Sequence, residues 1–492
     1  MQAILAIDQS TSATKALLFD TQGQIIDQYA LEHRQIYPQP GWVEHDAGEI
    51  YTNVLKVSKA LLARHPDKID QLLCLSITNQ RETVVVFEKG TGRPLHNAIV
   101  WQCRRGAPLC EELVQAGYQP LVQQKTGLKI DTYFSASKLR WLVDQKADIR
   151  ANLESGQALI GTIDSYLVYR LTGGQIHATD ATNASRTLLF DISRLAWDED
   201  LCEMFHVPMA ALPEVRQNTA SFGQTDLGGT LEHSIPIIGV MGDSQASLFA
   251  LRCFTPGDAK VTFGTGSSLL LNIGETLRFS PSGIVSTIAW QLDDQVTYAF
   301  EGLINFSAAT ISWLKNQLQL IYSADETESL ALAVENNGGV YLVPAFVGLS
   351  APYWRPDARA AIIGMTPFTT KNHIVRAALE SIAYQIKDAL DLMTSESSLP
   401  LQRINADGGA TRNRFLMQFT ADMTGYPVCV PDLAELSALG AVYCGYLGSG
   451  LVGSLSDIQR QPRRLAEYAP AMNAESVQSL YQGWQAAVQR VL

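Results

Sequence analysis

The stretch of sequence that decides the fold is AILAIDQSTSATKALLFD, residues 3–20. Two apolar runs flank a polar, hydroxyl-rich turn, a pattern that predicts two buried strands joined by that turn. The same arrangement returns in AKVTFGTGSSLLLN, residues 259–272, about half a chain later. Thr11 and Thr265 stand at equivalent places in the two turns. This repeated strand–turn–strand pattern indicates an internal duplication, with one such unit at the start of each half.

Strands and helices are interleaved outside these two units. Apolar residues at helical spacing predict helices, and short β-branched runs predict strands. We expect helices at 47–64, 135–145, 307–317 and 372–393, and strands at 24–29, 72–78, 83–87 and 403–407. Interleaving of this kind favours an α/β fold in which helices cover mixed sheets.

Length and charge narrow the class of protein. A chain of 492 residues exceeds what one hydrophobic core usually serves, so we expect at least two domains, and the absence of a Pro- or Ser-rich linker favours domains that are closely joined. With 37 Lys and Arg against 49 Asp and Glu, the formal charge is −12, which argues against nucleic acid as the main partner. No apolar run is long enough to span a membrane.

The seven cysteines are scattered and form no C-x-x-C pair. Such spacing is typical of reduced, buried thiols in a cytoplasm, and we expect a cytoplasmic protein without a signal peptide. No cluster of His and Cys predicts a metal site.

Three turns rich in small residues follow apolar strands, at 8–15, 263–268 and 407–413. Small residues let backbone N–H groups approach an anion, and hydroxyl groups add donors, so each turn is suited to phosphate. The chain has neither a Walker A loop nor a G-x-G-x-x-G motif after its first strand. A single turn of this kind is usually just a turn, but three turns in both halves favour a nucleotide held between two domains.

Three further segments carry candidate chemistry. An Arg–Glu pair (Arg81, Glu82) and a tryptophan (Trp101) follow apolar runs, and together they could bracket a small hydroxylated molecule. A surface ion pair and a core tryptophan are the alternative interpretation. Asp243 lies between a predicted strand and a predicted helix, where it could accept a proton from a hydroxyl group or, alternatively, cap the helix.

These segments carry a family resemblance that runs along nearly the whole chain. The chain resembles the FGGY carbohydrate kinases, and within them the branch that acts on glycerol. The matching blocks occur in the family's order, at residues 7–12, 37–46, 78–83, 99–105, 131–135, 182–187, 264–266, 351–354 and 407–410.

The resemblance implies a fold and an activity. The expected fold is α/β, with two actin/Hsp70-like (ribonuclease H-like) domains, each built on a five-stranded sheet, that close over an interdomain cleft. Residues 1–250 would carry the polyol pocket, the first phosphate turn and the catalytic aspartate. Residues 251–492 would carry the second phosphate turn and the segment that binds adenosine. The implied reaction is ATP-dependent phosphorylation of a terminal hydroxyl of a small polyol.

Site residues follow from the resemblance by position. Asp243 matches the general base, and Asp8 matches the acidic residue near Mg²⁺. The polyol pocket matches Arg81, Glu82, Trp101, Tyr133, Asp243, Ser244 and Ser268. The nucleotide site matches Thr11, Ser12, Ala13, Lys15, Thr265, Ala308, Ser312, Gly409 and Asn413.

Departures from the family pattern leave the substrate open. In the pocket wall, where the glycerol branch usually has Gln and Phe, this chain has Ser244 and Ser268. In the phosphate turns and the nucleotide-side helix, four more residues differ from those usual in that branch: Ser10, Lys15 (in place of an arginine), Ala308 and Ser312. Glycerol, giving glycerol 3-phosphate, is the first candidate. The alternatives are another polyol or ketose (erythritol, a pentitol or a pentulose), or a non-catalytic, nucleotide-dependent regulatory protein. The resemblance also implies a homodimer or homotetramer.

Overall fold

A computed structural model describes residues 2–492, and it confirms a mixed α/β fold. The strands of the first half are β1 (Ala3–Gln9), β2 (Ala13–Asp20), β3 (Ile25–Glu32), β4 (Glu44–His45), β5 (Leu72–Asn79), β6 (Val84–Glu88), β7 (Ala98–Ile99), β8 (Ala158–Thr162), β9 (Ala178–Asp180), β10 (Phe190–Asp191), β11 (Ala196–Trp197), β12 (Glu214–Arg216), β13 (Ser221–Thr225) and β14 (Ile235–Gly242). The helices of that half are α1 (Ala47–Arg64), α2 (Ala107–Gln115), α3 (Gln119–Thr126), α4 (Ser135–Gln145), α5 (Ala147–Glu154), α6 (Ile163–Leu171), α7 (Ala181–Ala184), α8 (Glu199–Met204) and α9 (Asp243–Ala250).

The second half of the chain also mixes strands and helices. Its strands are β15 (Ala259–Phe263), β16 (Ser267–Gly274), β17 (Val285–Leu292), β18 (Gln295–Ile304), β19 (Tyr341–Val343), β20 (Ala361–Ile363), β21 (Ile404–Asp407), β22 (Val428–Pro431) and β23 (Leu465–Tyr468). Its helices are α10 (Ala309–Asn316), α11 (Glu326–Leu332), α12 (Lys371–Ser397), α13 (Arg414–Thr424), α14 (Leu436–Gly448), α15 (Leu455–Arg460) and α16 (Ala474–Gln489). Short 3₁₀ turns lie at Pro66–Gln71, Met209–Ala211 and Gly409–Arg412.

The two large sheets repeat one topology. The first has the order β13-β14-β5-β1-β2-β3, and the second has the order β17-β18-β16-β15-β21-β22-β23. From β3 to β13 the pairings are antiparallel, antiparallel, parallel, parallel and antiparallel, and the same series runs from β18 to β23. This identity of pairing supports the internal duplication that the two hairpins indicate.

The expected number of strands is wrong, because the sheets contain six and seven strands and not five each. Both sheets contain the expected five-stranded arrangement, β3-β2-β1-β5-β14 and β18-β16-β15-β21-β22. The additional strands β13, β17 and β23 pair antiparallel at the margins. An added antiparallel strand satisfies backbone groups that a shorter sheet would leave at its edge.

The predicted helices at 47–64 and 135–145 match α1 and α4 at both ends. The first polar turn is shorter than predicted. β1 and β2 continue into it, and Asp8 lies opposite Lys15 and Gln9 opposite Thr14, so that residues 10–12 alone make the turn. The continuing ladder pairs backbone groups that a longer loop would leave to solvent.

One helix of the second half packs on the first sheet. α14 lies against β1, β5, β14 and helix α9. The approach of α14 to α9 is so close that a Cβ atom at Gly440 would lie 1.9 Å from the carbonyl oxygen of Ala246. Ile4 and Phe19 of the first sheet share a buried apolar cluster with Val442 of α14. The two halves of the chain are therefore joined through a common core.

Over the described residues 2–492, no helix is long and apolar enough to cross a bilayer. All seven cysteines are buried free thiols.

Candidate active site

Asp243 is the first residue of α9, directly after β14 ends. Gly242 occupies the cap position of this helix, so the helix-cap interpretation of Asp243 is wrong. The carboxylate Oδ1 accepts a hydrogen bond from the Ser244 amide at 2.7 Å and lies 3.2 Å from Arg81 Nε. The Asp243 side chain is 39% exposed, whereas that of Arg81 is 4% exposed. A buried cation thus orients a carboxylate that solvent can still reach.

Arg81 belongs to a buried network of two arginines and two glutamates. Arg81 Nη2 lies 2.9 Å from Glu301 Oε1, and Arg186 Nε lies 2.6 Å from Glu82 Oε1. Arg186 also pairs with the second oxygen of Glu301, and Gln245 Oε1 accepts from Arg81 Nη1 at 3.1 Å. The surface-ion-pair interpretation of the Arg81–Glu82 segment is therefore wrong.

The two glutamates of this network respond differently to burial. Burial alone would raise the pKa of Glu301, but Arg186 and Arg81 hold that pKa below its usual range. At Glu82 burial outweighs the two arginines, and the pKa is raised. Glu82 also has φ +62°, a backbone conformation that residues other than glycine rarely adopt. Strain at such a position is common where a side chain must be aimed at a ligand.

Two aromatic rings lie beside this network. The rings of Trp101 and Tyr133 are tilted against each other with centroids 5.2 Å apart. Trp101 Nε1 donates to Thr11 Oγ1 at 3.0 Å, which connects the aromatic pair to the first polar turn. Both rings are half-buried, so each has an accessible surface that could cover the carbon atoms of a small molecule.

Two serine hydroxyls face each other between the halves of the chain. Ser244 Oγ in α9 and Ser268 Oγ in β16 are 3.4 Å apart. Leu303 of β18 is the cross-strand neighbour of Ser268, so its side chain is on the same face of the sheet. Ser244 and Ser268 are both half-buried, and Ser244 directly follows Asp243 in the sequence.

The first polar turn holds an ion pair with the far end of the chain. Lys15 Nζ lies 2.7 Å from Glu435 Oε2, at the start of α14. Burial raises the pKa of Asp8 to about 7, with Lys15 opposing this shift and Glu435 and Asp243 adding to it. Asp8, Lys15, Asp243 and Glu435 therefore share one electrostatic environment. Ser12 is exposed, and Thr11 and Ala13 are half-buried in the same turn.

A cavity of about 790 Å³ opens in the second half, between the second polar turn and the 3₁₀ turn that precedes α13. Five predicted nucleotide residues line it: Thr265, Ala308, Ser312, Gly409 and Asn413. The first-turn residues Thr11, Ser12, Ala13 and Lys15 are not part of this lining. Cavities of this volume are typical of small-molecule and cofactor sites.

Within residues 2–492, no group of three His, Cys, Asp or Glu side chains is arranged to hold a metal ion.

A carboxylate of the third polar turn has only one of its two oxygens hydrogen-bonded. Asp407 Oδ2 accepts from Ser247 Oγ at 2.6 Å, while its Oδ1 is buried without a partner among the described residues.

Sequence reasoning missed several polar residues that the fold brings to this region. Arg186 is inside the matching block 182–187 and Gln245 follows Asp243 closely, so both could have been found by asking which polar neighbours must be buried. Glu301 and Glu435 carry no local signal. Each is an isolated acid in an otherwise apolar or small-residue segment.

The comparisons with known proteins decide the family. Models of the FGGY family of carbohydrate kinases match the chain in two parts, the N-terminal domain over residues 3–250 and the C-terminal domain over residues 259–448. The chain belongs to the FGGY family of carbohydrate kinases. It is therefore a phosphotransferase of the α/β class.

Individual FGGY relatives cover the whole chain. A glycerol kinase of Desulfitobacterium hafniense is 48% identical over 99% of both chains, and a glycerol kinase of Halorhodospira halophila is 49% identical over 99% of this chain and 96% of its own. The crystal structure of Plasmodium falciparum glycerol kinase with ADP matches at TM-score 0.94 and 39% identity, covering 100% of this chain and 98% of that one. A xylulose kinase of Lactobacillus acidophilus has TM-score 0.89 at 21% identity, covering 99% and 97%, and shares the fold alone. The expected two-domain actin/Hsp70-like fold is confirmed.

Proposed function

We propose that this protein transfers the γ-phosphate of ATP to a terminal hydroxyl of glycerol, giving glycerol 3-phosphate. The observation that carries the proposal is the Asp243 carboxylate, accessible and held 3.2 Å from the buried Arg81. The full-length similarity to glycerol kinases supports glycerol as the substrate.

In the proposed reaction Asp243 acts as the general base. It accepts the proton of the attacking hydroxyl as the oxygen–phosphorus bond forms, and ADP leaves with the electrons of the bond that breaks. Arg81 and Glu82 would bind the remaining hydroxyl groups, and Trp101 and Tyr133 would cover the carbon chain. Positioning of this kind contributes much of the rate in phosphoryl transfer, because the protein makes little covalent change.

The nucleotide would lie across the two halves. The 790 Å³ cavity suits adenosine, with Ala308, Ser312, Gly409 and Asn413 in its wall. The turns that contain Thr265 and Thr11 to Lys15 would contact the phosphates. Lys15 is paired with Glu435 at 2.7 Å, so phosphate binding would exchange one anionic partner of Lys15 for another.

Magnesium fits this site through Asp8. Mg²⁺ usually takes one or two carboxylates together with substrate phosphates and water, so a set of three protein ligands is not needed. Burial raises the pKa of Asp8 although Lys15 opposes the shift, so a further cation beside this carboxylate would favour its charged form. The ion would supply charge neutralisation at the phosphates.

A second candidate substrate is a longer polyol or a ketose. It is favoured by the Ser244–Ser268 pair, whose short side chains leave space and two hydroxyl groups in the pocket wall. The alternative of a non-catalytic regulatory protein has no observation of its own in its favour.

We further propose that function divides near residue 250, with the polyol pocket and base in 1–250 and the adenosine segment in 251–492. Exposed apolar side chains such as Met365 and Phe368 support a homodimer or homotetramer. Buried free thiols support a reducing, cytoplasmic location.

A coupled ADP-release assay at fixed Mg·ATP tests the substrate. The panel contains glycerol, erythritol, xylitol, ribitol, D-ribulose, D-xylulose and dihydroxyacetone. The proposal predicts the highest kcat/KM for glycerol. A higher value for a four- or five-carbon compound would replace glycerol with that compound, and turnover unaffected by every compound would contradict kinase action on a polyol.

A further inference from the structure

A second cavity, of about 450 Å³, lies away from the residues assigned above. Three arginines line it, Arg252, Arg463 and Arg464, together with the turn 22–24 and the N-terminal part of α14. We refer to it as the arginine cavity. It is formed by segments from both halves of the chain, which meet where α14 packs on the first sheet.

Arg252 forms the floor of the arginine cavity and is only 3% exposed. Its Nη1 donates to the carbonyl oxygens of Gln459 and Gln461, at 3.2 and 2.7 Å, and its Nη2 donates to Tyr443 Oη at 3.0 Å. Its Nε is buried and has no partner within the described residues. Because its partners are carbonyl and hydroxyl oxygens, this guanidinium places an uncompensated positive charge at the floor of the cavity.

The positive charge of the cavity is poorly compensated by the protein. None of Arg252, Arg463 and Arg464 forms an ion pair within residues 2–492. Burial, together with the neighbouring Arg252 and Arg403, lowers the pKa of Arg463. Asp432 is the acidic residue of the lining, so three cations face one carboxylate.

The nearby carboxylate of Asp258 does not remove this excess. It lies close enough to Arg403 and Arg463 for their charges to act on it, but burial dominates and raises its pKa. A concentration of positive charge in a protein of formal charge −12 requires a specific cause. Arginine clusters of this kind are the usual recognition element for phosphate, because the planar guanidinium matches two phosphate oxygens.

We propose that the arginine cavity binds the phosphate group of a small phosphorylated, hydroxylated molecule. Arg463 and Arg464 hold the phosphate from the half-buried and exposed sides, and the buried positive charge of Arg252 attracts it from the floor. The side chains of Gln22, Gln24 and Asp432 lie in the remaining wall and provide partners for hydroxyl groups. A volume of about 450 Å³ exceeds that of free phosphate and accommodates a sugar- or polyol-sized ester.

Occupancy of the cavity would act on both helices that lead to the active site. Arg252 follows the C-terminal end of α9, and Asp243 is the first residue of that helix. Leu436 and Tyr443 line the cavity from α14, and Glu435, the partner of Lys15, immediately precedes α14. A ligand that bridges the two helices stabilises their relative placement and so links the cavity to the phosphate-transfer site.

The test is a calorimetric titration of the full-length protein with glycerol 2-phosphate and, separately, with inorganic phosphate. The variant Arg463→Gln/Arg464→Gln should raise the Kd for both probes by about tenfold or more. Its turnover without added phosphate should stay within about twofold of the wild type, since neither arginine belongs to the transfer site. Arg464→Gln alone, at an exposed position, provides a milder variant if the double substitution unfolds the protein.

The matched control is Arg93→Gln/Arg150→Gln, which removes the same charge from exposed arginines of the first half. Its Kd values should equal those of the wild type. Equal affinities in all variants, or no binding of either probe by the wild type at millimolar concentration, would overturn the proposal. Because binding is measured directly, a failure here is distinct from a failure of the proposed glycerol kinase activity.

Discussion

Arg81 Nε lies 3.2 Å from Asp243 Oδ1, and the same guanidinium lies 2.9 Å from Glu301 Oε1 through its Nη2. One buried cation thus joins the proposed base in the first half of the chain to a strand of the second half. The position of the Asp243 carboxylate depends on a contact across the two sheets, so its chemical role and its structural support require separate substitutions.

Asp243→Asn should lower kcat by at least about 10²-fold, because an amide cannot accept the hydroxyl proton. Binding of ADP and the thermal unfolding midpoint should change little, since the side chain is partly exposed and keeps its shape. The assay is ADP release with glycerol, compared with Asp294→Asn as the control, which removes an equal charge at an exposed position outside both proposed sites. Undiminished turnover would remove Asp243 from the role of base.

Ser268→Phe should shift preference toward glycerol over erythritol and xylitol. A phenylalanine would occupy the space beside Ser244 and exclude the longer chains, while adding apolar contact worth about 1–3 kcal/mol to a ligand that still fits. The measurement is the ratio of kcat/KM values for the three polyols, with Ser268→Ala as the control for loss of the hydroxyl alone. An unchanged ratio would contradict the proposal that the pocket wall at Ser244 and Ser268 sets the substrate specificity.

Glu301→Gln should destabilise the protein by about 3–5 kcal/mol, because it leaves Arg81 and Arg186 buried with one fewer counter-charge. The measurement is the free energy of unfolding in denaturant. Glu88→Gln is the control, since its partner Arg93 is exposed and its loss should have no measurable effect. Equal stabilities of the two variants would show that the buried network contributes no more than a surface pair.

Asp8→Asn should flatten the pH dependence of stability in metal-free protein. The pKa of Asp8 is raised to about 7 from a usual value near 4, so the folded state holds a proton that the unfolded state releases between these values. Its contribution to the free energy of unfolding therefore falls as pH rises from about 4 to about 7. Above pH 7 the variant should be more stable than the wild type by at least about 1 kcal/mol.

Unfolding experiments at several pH values check this difference. Asp164 also has a pKa raised to about 7 by burial, so the wild type and the variant share that contribution and only the difference reports Asp8. Parallel pH profiles for the two proteins would exclude Asp8 as a buried, proton-binding carboxylate.

The sequence was sufficient for the elements whose pattern is local. The sequence predicts α1 and α4 at both ends, since an amphipathic stripe and a change of composition mark their limits. The two hairpins were also predicted, and the repeated strand order of the sheets supports the duplication. The additional edge strands β13, β17 and β23 carry too weak a pattern to be predicted from the sequence, because an edge strand needs only one partner.

The candidate site was predictable where its residues lie in contiguous blocks, and it was not where they come together only by folding. Arg81, Glu82 and Asp243 stand in recognisable segments. Glu301 and Glu435 become significant because cross-strand pairing and helix packing bring them to Arg81 and Lys15, over separations in sequence that no local pattern spans.

The packing of α14 on the first sheet has a consequence for how the protein melts. A fragment ending near residue 250 would leave Ile4 and Phe19 without the cover that Val442 provides, and so would present an apolar face to water. The sequence halves are therefore not independent folding units. Heating should produce a single cooperative heat-absorption peak from the whole chain, in place of two successive transitions.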